Sequence, residues 1–471
     1  MKPTSKQWWV ITLLSLPLFI QAQQTAAPVV HQFTVAQAVE YARKNNVQVK
    51  NALLDVQKQA QVNREVTGMA YPQISGSVST TYNPNVATQV IPNFISPATY
   101  QVLVQEGVKD GNGNPIQMPG SFDFIAAQFG TKWSASGGVS LNQIIFDGQV
   151  FTGLQARKTL IDFAEKNVEV TEESIKANVY KIYYQLVVSK TQLELLDSNI
   201  SLLNKLLHDT KIMYDNGFAE KLDINKSTVQ IANLQTEKNN VLTQVANGYL
   251  GLKVLMGMPV ADSLVLVDKI DDDLIKQDIL AAGIFNYNER KEYQYAELGI
   301  KLREYDIQRY KLSAVPTLSL NGMYSKSAQR NKFNFFKSGE DWFDISAITL
   351  NLNIPIFKGF ATSAKIAQAR IELQKSKNQA EALKLNIDSE VQTAKNNFVT
   401  AINSLDYQKQ NMALAEEVYQ QTKKKYEVGT GSQTEINTAQ NDLKMAQTNY
   451  INAMYNATVA KVDYLKATGK L

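Results

Sequence analysis

The chain has 471 residues, no cysteine, two histidines and a formal net charge of +4. Without cysteine there is no disulfide, thiol nucleophile, cysteine-ligated metal or lipidated N-terminal cysteine. His31 and His208 lie too far apart in sequence to suggest a histidine metal or catalytic centre, and the two signs of charge are interspersed, so no basic nucleic-acid footprint stands out.

Residues 1–22 read as a cleaved signal peptide. Lys2 and Lys6 form a basic start, the apolar run Trp8 to Ile20 is too short for an ordinary spanning helix, and cleavage falls near Ala22. No later stretch of about 18 apolar residues occurs, so a membrane-embedded mature chain requires a closed β-barrel. From Val35 to about Met69 the spacing predicts a helix capped by Thr34. The period then changes to two over about 71–83, where Ile74, Val78 and Tyr82 share one face and Gln73, Ser75, Ser77, Ser79 and Thr81 the other. Residues 84 to about 130 hold five prolines and five glycines and read as one long loop. A second strand is expected at about 131–146. In it Trp133, Ala135, Val139 and Leu141 alternate with Ser134, Ser136, Ser140 and Asn142.

From Gln149 a proline-free stretch predicts a helix of roughly 95 Å. Val179, Leu186, Leu193, Ile200, Leu207 and Tyr214 fall seven apart, beside a companion row of Ile175, Ile182, Leu196 and Leu203; this is a coiled-coil-like seam. A hairpin tip at about 213–222 and a return helix to Met256 follow. Residues 257–278 read as a linker with short elements, and about 279–313 as helix.

The second half repeats the first. Strands are expected at about 316–326 and 342–356, and the second tip at about 425–434. Val391, Phe398, Leu405, Met412, Tyr419 and Tyr426 each lie 212 residues after their partners in the first seam. The tips themselves, Tyr214-Asp-Asn-Gly217 through Ile224-Asn225 and Tyr426-Glu-Val-Gly429 through Ile436-Asn437, align without a gap. We therefore divide the mature chain into two structural repeats, 23–258 and 259–471. The first strand pair spans more residues than the second because of the 84–130 loop, so that end of the strands should face open solvent.

Four amphipathic strands cannot close a barrel alone, and open edges are excluded from lipid. Three copies would supply twelve strands. Tyr82, Trp133, Tyr324 and Trp342, expected near the loop ends, fit a membrane aromatic girdle. A soluble sandwich would show the same alternation. A trimeric coiled-coil adhesin or structural envelope protein would show the heptads but would not need strand pairs at matching places in both halves. No nucleotide, cofactor, metal or catalytic motif is present, so an enzyme is not expected.

The chain resembles the TolC-like outer-membrane efflux proteins. The resemblance rests on the duplicated order of helix, strand, strand, long helix, tip and return helix. It also rests on Tyr71-Pro-Gln-Ile-Ser, Ile145-Phe-Asp-Gly, Leu350-Asn-Leu-Asn-Ile-Pro-Ile-Phe-Lys-Gly359 and the two Tyr-x-x-Gly tips. It implies an α+β membrane protein, a homotrimer whose twelve-stranded barrel in the Gram-negative outer membrane continues as a periplasmic helical tunnel. It also implies a passive exit duct for efflux or type I secretion, with a periplasmic adaptor and an inner-membrane pump as partners. Many relatives carry a lipid anchor on an N-terminal cysteine; none is expected here.

Two sets of residues are candidates for function. Tyr214, Gly217, Leu222, Tyr426, Gly429 and Ser432 at the tips are expected to dock against adaptor hairpins. Asp209, Asp215, Glu416 and Glu417 are candidates for a periplasmic gate, where symmetry copies of an acid would form a ring; a solvated helix face is the alternative. The tips differ between their shared positions, Asn216-Gly-Phe-Ala-Glu against Val428-Gly-Thr-Gly-Ser, so the opening should present two alternating kinds of surface.

Overall fold

The computed structural model describes residues 29–270, 275–276 and 285–471; the expected signal peptide and the start of the helix expected from 279 lie outside these. β1 (Val30–Phe33) leads into α1 (Val35–Asn45). The Thr34 hydroxyl accepts from Gln37 N, and the Gln37 side chain accepts from Thr34 N, a reciprocal cap. The helix expected to run on to Met69 is instead broken at Asn46, and α2 (Val47–Gly68) starts afresh. Asn46 Oδ1 accepts from Gln48 N at 2.7 Å while its Nδ2 donates to the Leu255 carbonyl at 2.6 Å. The side chain thus offers the backbone an alternative to helix and ties the break to another segment.

β2 (Gln73–Tyr82) comes next. The region expected to be one loop carries its own structure: β3 (Thr88–Pro92), α3 (Ile95–Gln105) and β4 (Phe124–Gln128), with β3 and β4 antiparallel. Its prolines do not prevent this, because Pro92 ends a strand and Pro97 sits in the first turn of α3, where a missing N–H costs nothing. β5 (Trp133–Phe146) feeds α4 (Gly148–Asp215), a helix of 68 residues whose first turn is capped by Asp147. α5 (Lys221–Met256) returns and ends at Gly257 with φ +70°. β6 (Ser263–Leu266) pairs in parallel with β1.

α6 (Lys291–Leu312), β7 (Thr317–Arg330), β8 (Phe343–Asn353), α7 (Ala361–Glu427) and α8 (Gln433–Ala467) complete the chain. β7 runs four residues beyond the expected end at 326, because its ladder with β5 continues to Trp133 opposite Arg330.

The four long strands form one antiparallel sheet in the order β2-β5-β7-β8. The helices pack along their seams. One cluster joins Ile175, Val179, Tyr183 and Leu186 of α4 to Val39, Val49, Leu252 and Met256. A second, nearer the tips, joins Leu196, Leu203, Leu206, Ile231 and Leu234 to Tyr419, Tyr426, Ile436 and Leu443. The first cluster sits under the β1–β6 ribbon, where the Tyr183 hydroxyl donates to the Phe33 carbonyl at 2.9 Å and burial pushes the phenol well above its ordinary range.

Candidate functional site: the hairpin tips and the strand sheet

Both tips are built by the same local chemistry. At the end of α4, Gly217 N donates to the Tyr214 carbonyl and Phe218 N to the Met213 carbonyl; at the end of α7, Gly429 N donates to Tyr426 and Thr430 N to Lys425. Each is a left-handed helix stop, and Gly217 (φ +79°) and Gly429 (φ +76°) supply the conformation that an L side chain resists. Nothing lies within 4 Å of where either Cβ would stand, so both stops are open to an approaching surface. The next helices restart with reciprocal caps, Glu220 with Asp223 and Ser432 with Glu435.

The tips then diverge. Tyr426 is buried, its hydroxyl 3.5 Å from both Thr210 Oγ1 and Met213 Sδ. Tyr214, its partner in sequence, is exposed, as is Leu222. Tyr426 therefore locks one hairpin against the other, while Tyr214 and Leu222 face outward. The most exposed apolar groups here are Phe218 at 80 % and Val428 at 72 %, neither of them among the expected contact residues. They occupy the positions where the two tips differ, and that difference was the available signal.

The four acids are spread out. Asp209 lies half-buried in a cleft of about 330 Å³ between the two hairpins, beside Lys205, Lys423, Tyr426 and Glu427. Asp215 is the exposed last residue of α4. Glu416 and Glu417 are exposed on α7, and Glu417 accepts from Gln421 Nε2 at 3.0 Å. Among the described residues no three His, Cys, Asp or Glu side chains gather as a metal site.

At the opposite end from the tips, directly paired residues of the sheet share a face. One rung runs Ile74–Leu141–Gly322–Ile348 and another Gly76–Val139–Tyr324–Ser346. The other face carries Ser75–Ser140–Met323–Ala347 and Ser79–Ser136–Ser327–Phe343. On it, Ser75 bonds Ser140 and Ser79 bonds Ser136, each at 2.8 Å. The apolar face is bare in the single chain: Val78 is 90 % exposed and Ile348 85 %.

At the loop end the Tyr82 and Trp133 rings lie 4.5 Å apart, and Trp342 packs on Phe335 at 6.0 Å. Tyr324 is not at that end. It stands level with Val139, six positions in from Arg330, or about 20 Å along the strand. The shift follows from β7 being longer than expected. Its hydroxyl donates to Asp344 Oδ1 at 2.9 Å, at the border where the apolar rows give way to the Lys326–Asp344 pair. Phe333 and Phe335, absent from the sequence reading, complete the loop-end cluster.

A four-stranded sheet with one lipophilic and one hydroxyl-rich face, open at both edges and continued by two very long helical hairpins, defines a class: an outer-membrane barrel segment carrying a helical duct. A family model described as outer membrane efflux protein matches residues 288–470. The outer membrane protein TolC of Vibrio cholerae serotype O1 is 21 % identical over 341 residues, covering 71 % of this chain and 77 % of that protein. The outer membrane efflux protein BepC of Brucella suis biovar 1 is 21 % identical over 370 residues, 75 % of this chain and 77 % of that one. Among solved structures, CusC superposes with a TM-score of 0.72 at 17 % identity, covering 95 % of each chain. The chain is thus similar to the TolC-like outer-membrane efflux proteins, through the family match over residues 288–470 and through its fold over nearly its whole length.

Proposed function

We propose that three copies of this chain close a twelve-stranded barrel and that it serves as the passive exit duct of a tripartite efflux or type I secretion system. The observation that carries this reading is the sheet: its apolar face is solvent-exposed in one chain, and β2 and β8 are left as open edges. Neither is tolerated in lipid unless each β8 pairs with the β2 of a neighbour. The two halves, 23–258 and 259–471, then act as equivalent repeats, and a leader cleaved near Ala22 delivers the chain across the inner membrane. The hydroxyl face lines the lumen, and the Tyr82, Trp133 and Trp342 rings mark the outer interface.

The far ends of the hairpins dock a periplasmic adaptor, which couples the duct to an inner-membrane pump as the source of energy. The open glycine stops at 217 and 429, exposed Tyr214 and Leu222, and the Ser432 cap form the contact, while Tyr426 holds the two hairpins in register. Copies of Asp209, Asp215, Glu416 or Glu417 ring the narrow end and favour cations there. The adhesin reading leaves the sheet without a role.

The absence of cysteine makes a direct test clean. A cysteine at Ser79 in β2 combined with a cysteine scanned along β8 should give oxidised trimers in outer-membrane fractions; a monomer at every position defeats the barrel. For docking, Gly429→Trp should leave the trimer intact and abolish efflux. Unimpaired efflux from a normally assembled trimer removes the tips from the contact. Single-channel recordings of the four neutralised acids test the ring, since unchanged cation preference in all of them removes it.

A further inference from the structure

The turn joining β7 to β8, residues 331–342, is short, yet it is more elaborately built than a connection needs to be. Arg330 is buried at its base. The guanidinium donates to the Asn334 and Asp341 carbonyls at 3.1 and 3.0 Å, pairs with Glu340 at 3.1 Å and lies 5.3 Å over the Phe335 ring. Phe335 in turn is buried against Ala135 and Ala328. This scaffold fixes what the turn displays. Phe333 packs edge-on against Trp133 at 5.0 Å and so emerges on the apolar face of the sheet. Phe336, 91 % exposed, sits beside it at 6.2 Å. Lys332 and Lys337 flank the two rings and, among the described residues, make no ion pair; Lys132, next to Trp133, makes none either. Of the acids, Glu340 is engaged by Arg330, and only Asp341 is without an ion pair.

A rigid pad of two exposed aromatic rings framed by unpaired ammonium groups, packed on Trp133 at the outer end of the sheet and beyond the Lys326–Asp344 pair, matches a ligand that is anionic at its head and apolar below. We infer that the 331–342 turn binds the phosphate-bearing headgroup of an outer-leaflet lipid, with Lys332 and Lys337 on the phosphates and Phe333 and Phe336 on the upper acyl chains. This rests on the barrel reading, which places that end of the sheet at the outer leaflet. Aromatic side chains at headgroup level and lysines near anionic lipid are each favourable there, the latter by about 1 kcal/mol apiece.

The test uses the purified full-length trimer in a neutral detergent and fluorescent diphosphoryl lipid A as the probe. Removing two lysines, in Lys332→Ser with Lys337→Ser, should weaken binding roughly thirty-fold, and Phe336→Ser should weaken it separately. Raising the salt should bring the native protein toward the double variant, because the charges are exposed. Inorganic phosphate should not displace the probe; full displacement would identify a free-phosphate site and overturn the lipid assignment. Equal affinity of the native protein and the double variant, both trimeric, overturns the inference and leaves the barrel standing. A native chain that forms no trimer defeats the barrel and the inference with it. Both lysines are exposed, so the variants should fold.

Discussion

Glu173 illustrates how a single side chain records the cost of the helical packing. Its Oε2 is buried without a hydrogen-bond partner. Burial pushes the carboxyl above the ordinary 4.5, and Glu292 adds to the rise while Arg290, Lys466 and Lys291 oppose it. Below the ordinary value the group is neutral whether folded or unfolded, and nothing is lost. As pH rises from there through the raised folded value, a charge must be held in the packed helices, and stability falls. Glu173→Gln should therefore match the native protein below the ordinary value and become the more thermostable as pH rises to neutrality. A constant difference across that range would show that the charge is not the cause. Gly257 is the opposite case, a position where backbone geometry alone dictates the residue. Its φ is +70°, and a Cβ there would meet the Asn45 carbonyl oxygen at 2.3 Å, so α5 can end against the α1–α2 break only with glycine.

At the scale of elements, the seven-residue rows explain the length of α4 and α7. No compact core could bury a helix of 68 residues; a seam along a neighbour can. The faces of these helices are covered unevenly in one chain. Leu405 is fully buried with Ala453, Met454 and Ala457, whereas Leu385 and Tyr407 on the same helix are exposed. Leu405→Ala should cost about 2–5 kcal/mol in the monomer and the trimer alike. Leu385→Ala should spare the monomer and weaken assembly by about 1.5–3 kcal/mol per chain if a neighbour covers it. Urea unfolding of monomer and trimer, followed by gel mobility, separates the two. The tips show what local sequence can specify: the same Tyr-x-x-Gly stop produces the same pair of backbone bonds twice. It does not specify that Tyr426 turns inward and Tyr214 outward, because that depends on Thr210 and Met213 lying across from one and not the other.

The whole molecule is asymmetric along its length, with a two-faced sheet at one end and two hairpin tips at the other. If the apolar face meets lipid, charge there is costly while charge on the hydroxyl face is not. Ile348→Arg should destabilise the membrane-inserted trimer by about 2–4 kcal/mol, and Thr349→Arg, one residue on and on the opposite face, by much less. Equal effects, measured by denaturant unfolding from vesicles, would mean that the faces are assigned wrongly.

The sequence by itself carried the period changes, the glycine stops and the duplication, since each is set by spacing along the chain. Ser75 to Thr81 alternate because a strand presents every second residue to one face, and the α4 and α7 seams recur because a helix repeats its face about every seven. The structure decided what depends on segments distant in the chain. Asn46 breaks a helix because the Leu255 carbonyl is there to receive its amide. Residues 84–130 hold a ribbon and a helix because β3 finds β4. Tyr324 stands at mid-strand because β7 pairs with the full length of β5. The loop-end cluster forms because Arg330 organises a turn around Phe335. Local periodicity cannot encode these partners, because each contact joins residues whose separation only the folded chain removes.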